Sequence, residues 1–148
     1  MVSCTEFIAV YNELFAFIEE RSGKDVVLRL WEELADEFLC NLRSLVKEKG
    51  LAGMYEYWSR TLADEGGDYD LILTPNEFRI EMRSCPSVAV LQSSKHLKPY
   101  PYYCEHCAVL YPRIIEPFGY KCNVVVHDSV LGKCTLSITP VEQEDHQG

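Results

Sequence analysis

Apolar residues recur every three to four positions through the first 66 residues of the chain, which is the period of amphipathic helices. The first stretch begins with Ser3 and Glu6 at capping-box spacing and ends near Gly23. Asp25 can cap a second helix, predicted to be the longest in the chain and to end at Gly50. A third helix runs to Gly66. Aromatic residues at helical spacing predict core packing rather than a cofactor pocket. The three apolar stripes are Phe7, Ile8, Tyr11, Leu14, Phe15 and Ile18; Val27, Leu30, Trp31, Leu34, Phe38, Leu42, Leu45 and Val46; and Met54, Tyr57, Trp58 and Leu62.

The pattern changes to strict alternation in the second half, which predicts β-strands over residues 69–73, 77–84, 120–128 and 133–139. The second strand has apolar residues on one face and the solvated charges of Glu77, Arg79, Glu81 and Arg83 on the other. Helical spacing returns over residues 102–118, between the two predicted hairpins.

These elements predict an α+β fold, in which an N-terminal helical layer packs against an antiparallel sheet and a helix crosses between two hairpins. We predict one domain over residues 1–148. Residues 1–66 form its helical part, residues 67–140 form an α+β part that carries most of the cysteines, and residues 141–148 form a polar tail.

The formal charge of −9 argues against nucleic acid or an anionic membrane surface as a partner, because both attract cationic proteins. The sequence has no run of about 20 apolar residues and no secretion signal at its start, so we expect a cytoplasmic protein. The remaining partner class is a small-molecule ligand or substrate, with a homo-oligomer left open.

Seven cysteines are many for such a chain, and an odd number without a secretion signal argues against a disulfide framework. Metal binding, thiol chemistry and simple burial of small apolar side chains are the three alternatives. Cys4 and Cys40 belong to the helical layer, and we predict a structural role for both.

Cys104 and Cys107 share one face at the start of the predicted 102–118 helix, where the helix dipole favours a thiolate. Cys85, after the second strand, and Cys134, in the last strand, are the candidates to complete a metal site, with His106 or His127 as substitutes. The predicted metal ligands are therefore Cys85, Cys104, Cys107 and Cys134, for zinc or another soft transition metal. Without a metal, Cys104 and Cys107 remain as nucleophilic or redox-active thiols.

Four motifs of this cysteine-rich half are Cys85-Pro86, Cys104 at a helix start, Gly119 after that helix, and Gly132-x-Cys134 before alternating apolar residues. In these motifs and in element order, residues 25–139 resemble the L-2-amino-thiazoline-4-carboxylic acid hydrolase family. More distantly, the second half is similar to the 4-vinyl-reductase-type domain, a small-molecule-binding α+β module. Cys107 stands where the hydrolase family has aspartate, which replaces a hard oxygen ligand or base with a soft thiolate.

The resemblance implies a hydrolase-like enzyme that acts on a small cyclic amidine or amide through a cysteine-rich site, with Cys104 and Cys107 as catalytic residues. In the metal version, zinc held by these two residues and by Cys85 or Cys134 activates water. In the thiol version, Cys104 attacks the ring carbon. The alternative is a non-enzymatic small-molecule- or metal-binding module, and a third reading is a dithiol redox partner.

Overall fold

Four helices occupy the first half of the chain in a computed structural model that describes residues 4–142. The helices are α1 (Cys4–Ser22), α2 (Lys24–Glu37), α3 (Cys40–Lys49) and α4 (Leu51–Glu65). Gly23 and Gly66 have φ angles of 86° and 76°, which confirms both predicted helix stops. The predicted capping box includes Ser3 and so lies partly outside the described residues. None of the described helices combines the length and apolarity needed to cross a membrane.

The prediction of one long helix from Asp25 to Gly50 is wrong, because the helix is interrupted between α2 and α3. Leu39 leaves the helical region with φ −88° and ψ 47°. The guanidinium group of Arg43 donates hydrogen bonds to the carbonyl oxygens of Ala35 (2.8 Å) and Asp36 (2.7 Å). Because the break frees these carbonyl groups at the end of α2, the arginine supplies the partners that a continuous helix would have provided. Phe38, predicted to lie in the apolar stripe, is 70% exposed at the break.

The second half forms a four-stranded antiparallel sheet, which confirms the predicted α+β class. The strands are β1 (Asp68–Thr74), β2 (Glu77–Ser84), β3 (Tyr120–Asp128) and β4 (Lys133–Pro140), in the order β1-β2-β4-β3. Two helices lie between the hairpins, α5 (Pro86–Ser93) and α6 (Glu105–Ile115), and a 3₁₀ turn at Glu116–Phe118 follows α6. The helix predicted over 102–118 is thus shorter at both ends.

One face of the sheet packs against the helices, and the other carries charge. Phe78, Ile80, Leu136 and Ile138 are buried on the inner face of β2 and β4. On the outer face, Arg79 lies within 3.4 Å of the carboxylates of Glu77 and Glu81, and Arg83 forms ion pairs with Asp68 and Asp70. The predicted solvated face of β2 is confirmed.

The buried Asn12 ties α1 to the segment that leads into α6. Its side-chain Nδ2 donates to the carbonyl oxygen of Lys98 at 2.9 Å, and its Oδ1 accepts the backbone N–H of Tyr100 at 2.7 Å. A buried amide with both groups paired holds two segments far apart in sequence in a fixed position. The link places the residues that precede α6 against the helical layer.

Candidate functional site

Four cysteines from three separate parts of the chain line one small cavity of about 30 Å³. Cys85 follows β2, Cys104 is the N-cap residue of α6, Cys107 lies in the first turn of α6, and Cys134 lies near the start of β4. The remaining wall includes valine side chains of α5 and β3. The structure therefore brings together all four cysteines that the sequence predicts as site residues.

The turn between β3 and β4 holds this arrangement in place. Gly132 accepts the backbone N–H of Cys85 at 3.0 Å through its carbonyl oxygen, and its φ of 69° is unfavourable for any other residue. A Cβ atom on Gly132 would lie 2.9 Å from the Cβ atoms of Cys85 and Val88. On the other side of the turn, the Cys104 thiol lies 4.0 Å from the carbonyl oxygen of Ser129. Close packing against Cys85 and Val88, together with the positive φ, therefore explains the glycine of the Gly132-x-Cys134 motif.

The thiols of this cavity are held in their neutral form. Burial raises the pKa of Cys104 to about 11 and the pKa values of Cys107 and Cys134 to about 12, and it also raises the pKa of Cys85. The neighbouring thiols add to the shifts of Cys85, Cys104 and Cys134, because a thiolate at one site disfavours a thiolate at the next. The expectation that the helix start favours a thiolate at Cys104 and Cys107 is wrong. Desolvation by burial raises their pKa values by more than the helix start can lower them.

The donor set does not form a metal cluster in this arrangement. Within residues 4–142, no group of three or more His, Cys, Asp or Glu side chains is placed so that it could hold a metal ion. Zinc binding also requires cysteines to lose their protons, which the apolar surroundings oppose. His106 lines the cavity, but His127 lies on the exposed face of β3 and hydrogen-bonds Thr135 at 2.8 Å. The zinc site therefore stays a prediction from the sequence.

The remaining described cysteines lie outside the cavity. Cys122 is buried on β3 among core residues, whereas Cys40, predicted to be structural, is exposed at the first residue of α3. The side chain of Cys4 lies outside the described part of the chain.

A second cavity, of about 390 Å³, lies between the helical layer and the start of α6. Its volume falls within the range of small-molecule sites, about 300–1,000 Å³. Eight of the residues that line it are phenylalanine, tyrosine or tryptophan, among them the buried Phe15 and Trp31 from two predicted core stripes. We call this space the aromatic cavity. Sequence periodicity assigned six of these eight rings to the core and missed the cavity. Ser87 and Glu65, which also line it, gave no signal in the sequence.

The indole N–H of Trp31 is a buried donor without a partner. Trp31 is 0% exposed, and its Nε1 atom has no hydrogen-bond acceptor among the described residues. Its ring lies at the wall of the aromatic cavity, near the rings of Phe15 and His106, with centroid distances of 5.4 and 6.2 Å. Buried polar groups are nearly always paired, so an unpartnered donor here is a candidate partner for a ligand acceptor. Because Trp31 has no accessible surface, an acceptor in the cavity reaches its N–H only when the rings that cover it shift.

His106 and Tyr103 form the wall between the two cavities, since both line each of them. The Nδ1–H of His106 donates to the carbonyl oxygen of Tyr103, and burial lowers the pKa of the imidazole. The ring is therefore neutral with Nε2 as its acceptor. The Cys107 thiol lies 3.8 Å from Nε2 and can donate to it. The thiol cluster and the aromatic cavity are thus in direct contact through one histidine.

A larger groove of about 870 Å³ opens at the opposite end of the sheet, between Gly50, Pro75, Tyr120 and Val141. It lies far along the strands from the cysteines, and its wall holds neither a cysteine nor a histidine. The chemistry of the described residues is concentrated in the other two cavities.

Comparisons of the chain with protein-family models, curated proteins and solved structures gave no match. The resemblance to the hydrolase family therefore stays a prediction that depends on short cysteine motifs, and the function follows from the geometry of the two cavities.

Proposed function

We propose that this protein is a small-molecule-binding module whose ligand occupies the aromatic cavity. The observation that supports this function most strongly is the ligand-sized aromatic cavity, beside which lies the unpaired indole N–H of Trp31. The cavity combines a ligand-sized volume, mostly aromatic walls and few polar groups, which is the usual composition of a small-molecule site. The ligand is a flat, largely apolar molecule that carries a hydrogen-bond acceptor for Trp31.

The orphaned donor supplies a specific part of the binding free energy. An unsatisfied buried donor costs about 1–3 kcal/mol, and a ligand acceptor that pairs with it recovers this cost. An apolar ligand of the same shape gains only from burial of its surface. The site therefore discriminates between ligands of equal size by the presence of an acceptor.

The test uses acetophenone, which has a carbonyl acceptor, and ethylbenzene, which has none. We expect acetophenone to bind more tightly than ethylbenzene by about tenfold, since one recovered hydrogen bond is worth about 1–3 kcal/mol. In a two-dimensional ¹H–¹⁵N NMR titration, the indole signal of Trp31 should shift with acetophenone. The chain has two tryptophans, so the Trp31→Phe and Trp58→Phe variants assign the two indole signals.

The Trp31→Phe variant keeps an aromatic ring and removes the donor. We expect it to bind both compounds with similar affinity, while a Trp58→Phe variant keeps the preference for acetophenone. If acetophenone leaves the Trp31 signal unchanged at concentrations that saturate the protein elsewhere, the aromatic cavity is not the binding site.

A hydrolase-like enzyme is the second candidate, and the observation that favours it is the common cavity of Cys85, Cys104, Cys107 and Cys134. For this candidate we expect Cys104→Ser to abolish hydrolysis of 2-aminothiazoline-4-carboxylate, because Cys104 is a metal ligand in one version and the nucleophile in the other. Cys122→Ser, a buried cysteine outside the cavity, is the matched control. Metal content per chain, measured on protein purified without oxygen, separates the two versions. Unchanged turnover in Cys104→Ser would reject both.

A further inference from the structure

The wall of the aromatic cavity has an uneven charge. Among the described residues that line the cavity, Glu65 at the C-terminal end of α4 is the one charged side chain, and none is a lysine or an arginine. Glu65 is exposed and therefore lies at the rim, whereas Trp31 lies on the buried side. A ligand in the cavity thus meets a carboxylate at its outer end, and the indole N–H lies behind the inner wall.

The carboxylate of Glu65 has no ion-pair partner among residues 4–142. Partial desolvation and the charge of Asp64 raise its pKa. Its negative charge also contributes to the raised pKa values of Tyr57 and Tyr111 at the cavity wall and of Cys107 behind it. The described residues therefore leave a negative charge uncompensated at this point.

The tyrosine rings of the wall also favour a positively charged group at this point. Tyr57 and Tyr111 both line the cavity with Glu65, and Tyr111 packs edge-on against Trp58 at 5.1 Å. The faces of aromatic rings carry partial negative charge and attract ammonium groups, and the attraction increases where water is excluded. The formal charge of −9 on the whole chain raises the local concentration of cations further.

We propose that the ligand of the aromatic cavity is an aromatic organic cation, whose ammonium group lies between Glu65 and the rings of Tyr57 and Tyr111. This inference rests on the proposed binding function and names its ligand class. The carbonyl or similar acceptor of such a ligand pairs with Trp31 at the inner end once the rings that cover its N–H shift. A carboxylate ligand of the same size is excluded, because it would place two negative charges together with no cation in the wall.

Three compounds of similar size test the charge preference, and each carries the acetyl acceptor for Trp31. They are 4-(dimethylaminomethyl)acetophenone, which is a cation at neutral pH, the neutral 4-(methoxymethyl)acetophenone, and the anion 4-acetylbenzoate. Dissociation constants come from the shift of the Trp31 indole signal. We expect the cation to bind about tenfold more tightly than the neutral compound, and the anion to bind more weakly than both.

Glu65→Gln keeps the shape of the side chain and removes its charge. We expect this variant to lose most of the preference for the cation and to bind the neutral compound as the wild type does. Asp64→Asn is the matched control, because Asp64 is adjacent and exposed but does not line the cavity. It should keep most of the preference.

The outcomes separate this inference from the binding function on which it rests. If the neutral compound binds as tightly as the cation, or if Glu65→Gln leaves the preference unchanged, the ligand class is wrong and the binding function stands. If none of the three compounds shifts the Trp31 signal, both proposals are rejected.

Discussion

Gly53→Ala is expected to lower the free energy of unfolding by about 3 kcal/mol, although alanine is the better helix former by about 1 kcal/mol. Gly53 is buried in the first turn of α4, directly against α3. A Cβ atom at this position would overlap the carbonyl oxygen of Leu45 and lie 2.6 Å from its carbonyl carbon. Because the obstacle is backbone, no side-chain rotation relieves the overlap, and α3 and α4 must separate. Urea unfolding followed by circular dichroism measures the change.

The neighbouring Ala52 provides the control for helix propensity, since it is exposed on the same helix. Ala52→Gly should lower the free energy of unfolding by about 1 kcal/mol, as expected for a glycine in an exposed helical position. The two variants make opposite chemical changes, yet both should destabilise. A Gly53→Ala protein as stable as the wild type would mean that α3 and α4 do not approach each other this closely.

The strands could be predicted almost to the residue, because alternation and turn residues are local signals. The predicted β2 and β3 have the same boundaries in the structure, and the two-residue turn Pro75-Asn76 connects β1 and β2. The break between α2 and α3 could not be predicted, since the apolar stripe continues from Leu34 to Leu42 across it. What permits the break is Arg43, which reaches back seven and eight residues to bond carbonyl groups of α2. A side-chain contact of this kind leaves no periodic pattern.

The positions of the site residues were only partly accessible from the sequence. The four cavity cysteines lie close to the ends or starts of helices and strands. Neighbouring strands of an antiparallel sheet run in opposite directions, so the end of one lies beside the start of the next. The aromatic cavity was missed because a ring that lines a cavity and a ring that fills a core have the same spacing along a helix. Trp31 is fully buried in either case. Only the three-dimensional arrangement shows that its N–H faces no acceptor.

The two candidate functions meet at His106. His106 lines both cavities, its Nε2 faces the Cys107 thiol, and Tyr103 also lines both, so a ligand in the aromatic cavity would contact the same imidazole. Binding on one side and thiol chemistry on the other therefore share part of one wall. The state of the thiols decides whether the cysteine cavity contributes chemistry or only packing, and their reactivity can be measured directly.

Alkylation by iodoacetamide at neutral pH is expected to be slower than that of an ordinary thiol by about 100-fold at Cys104 and by about 1,000-fold at Cys107. The reason is that the thiolate is the nucleophile, and burial raises the pKa values of these cysteines from about 9 to about 11 and about 12. Because both pKa values lie above the working pH, each rate should rise about tenfold per pH unit well into the alkaline range. Mass spectrometry of peptides after timed quenching gives the rate for each cysteine.

The exposed Cys40 is the internal reference for an accessible thiol, and the same protein in concentrated urea gives the rates of the unfolded chain. Comparison with the urea rates removes the intrinsic differences between the peptide sequences around each cysteine. Fast modification of Cys104 near neutral pH, with a rate that no longer rises above about pH 8, would reveal a stable thiolate. This result would contradict the neutral thiol cluster and favour the hydrolase-like enzyme. Slow modification that rises steadily with pH would support the neutral thiol cluster and argue against Cys104 as a nucleophile, because a neutral thiol does not attack a ring carbon.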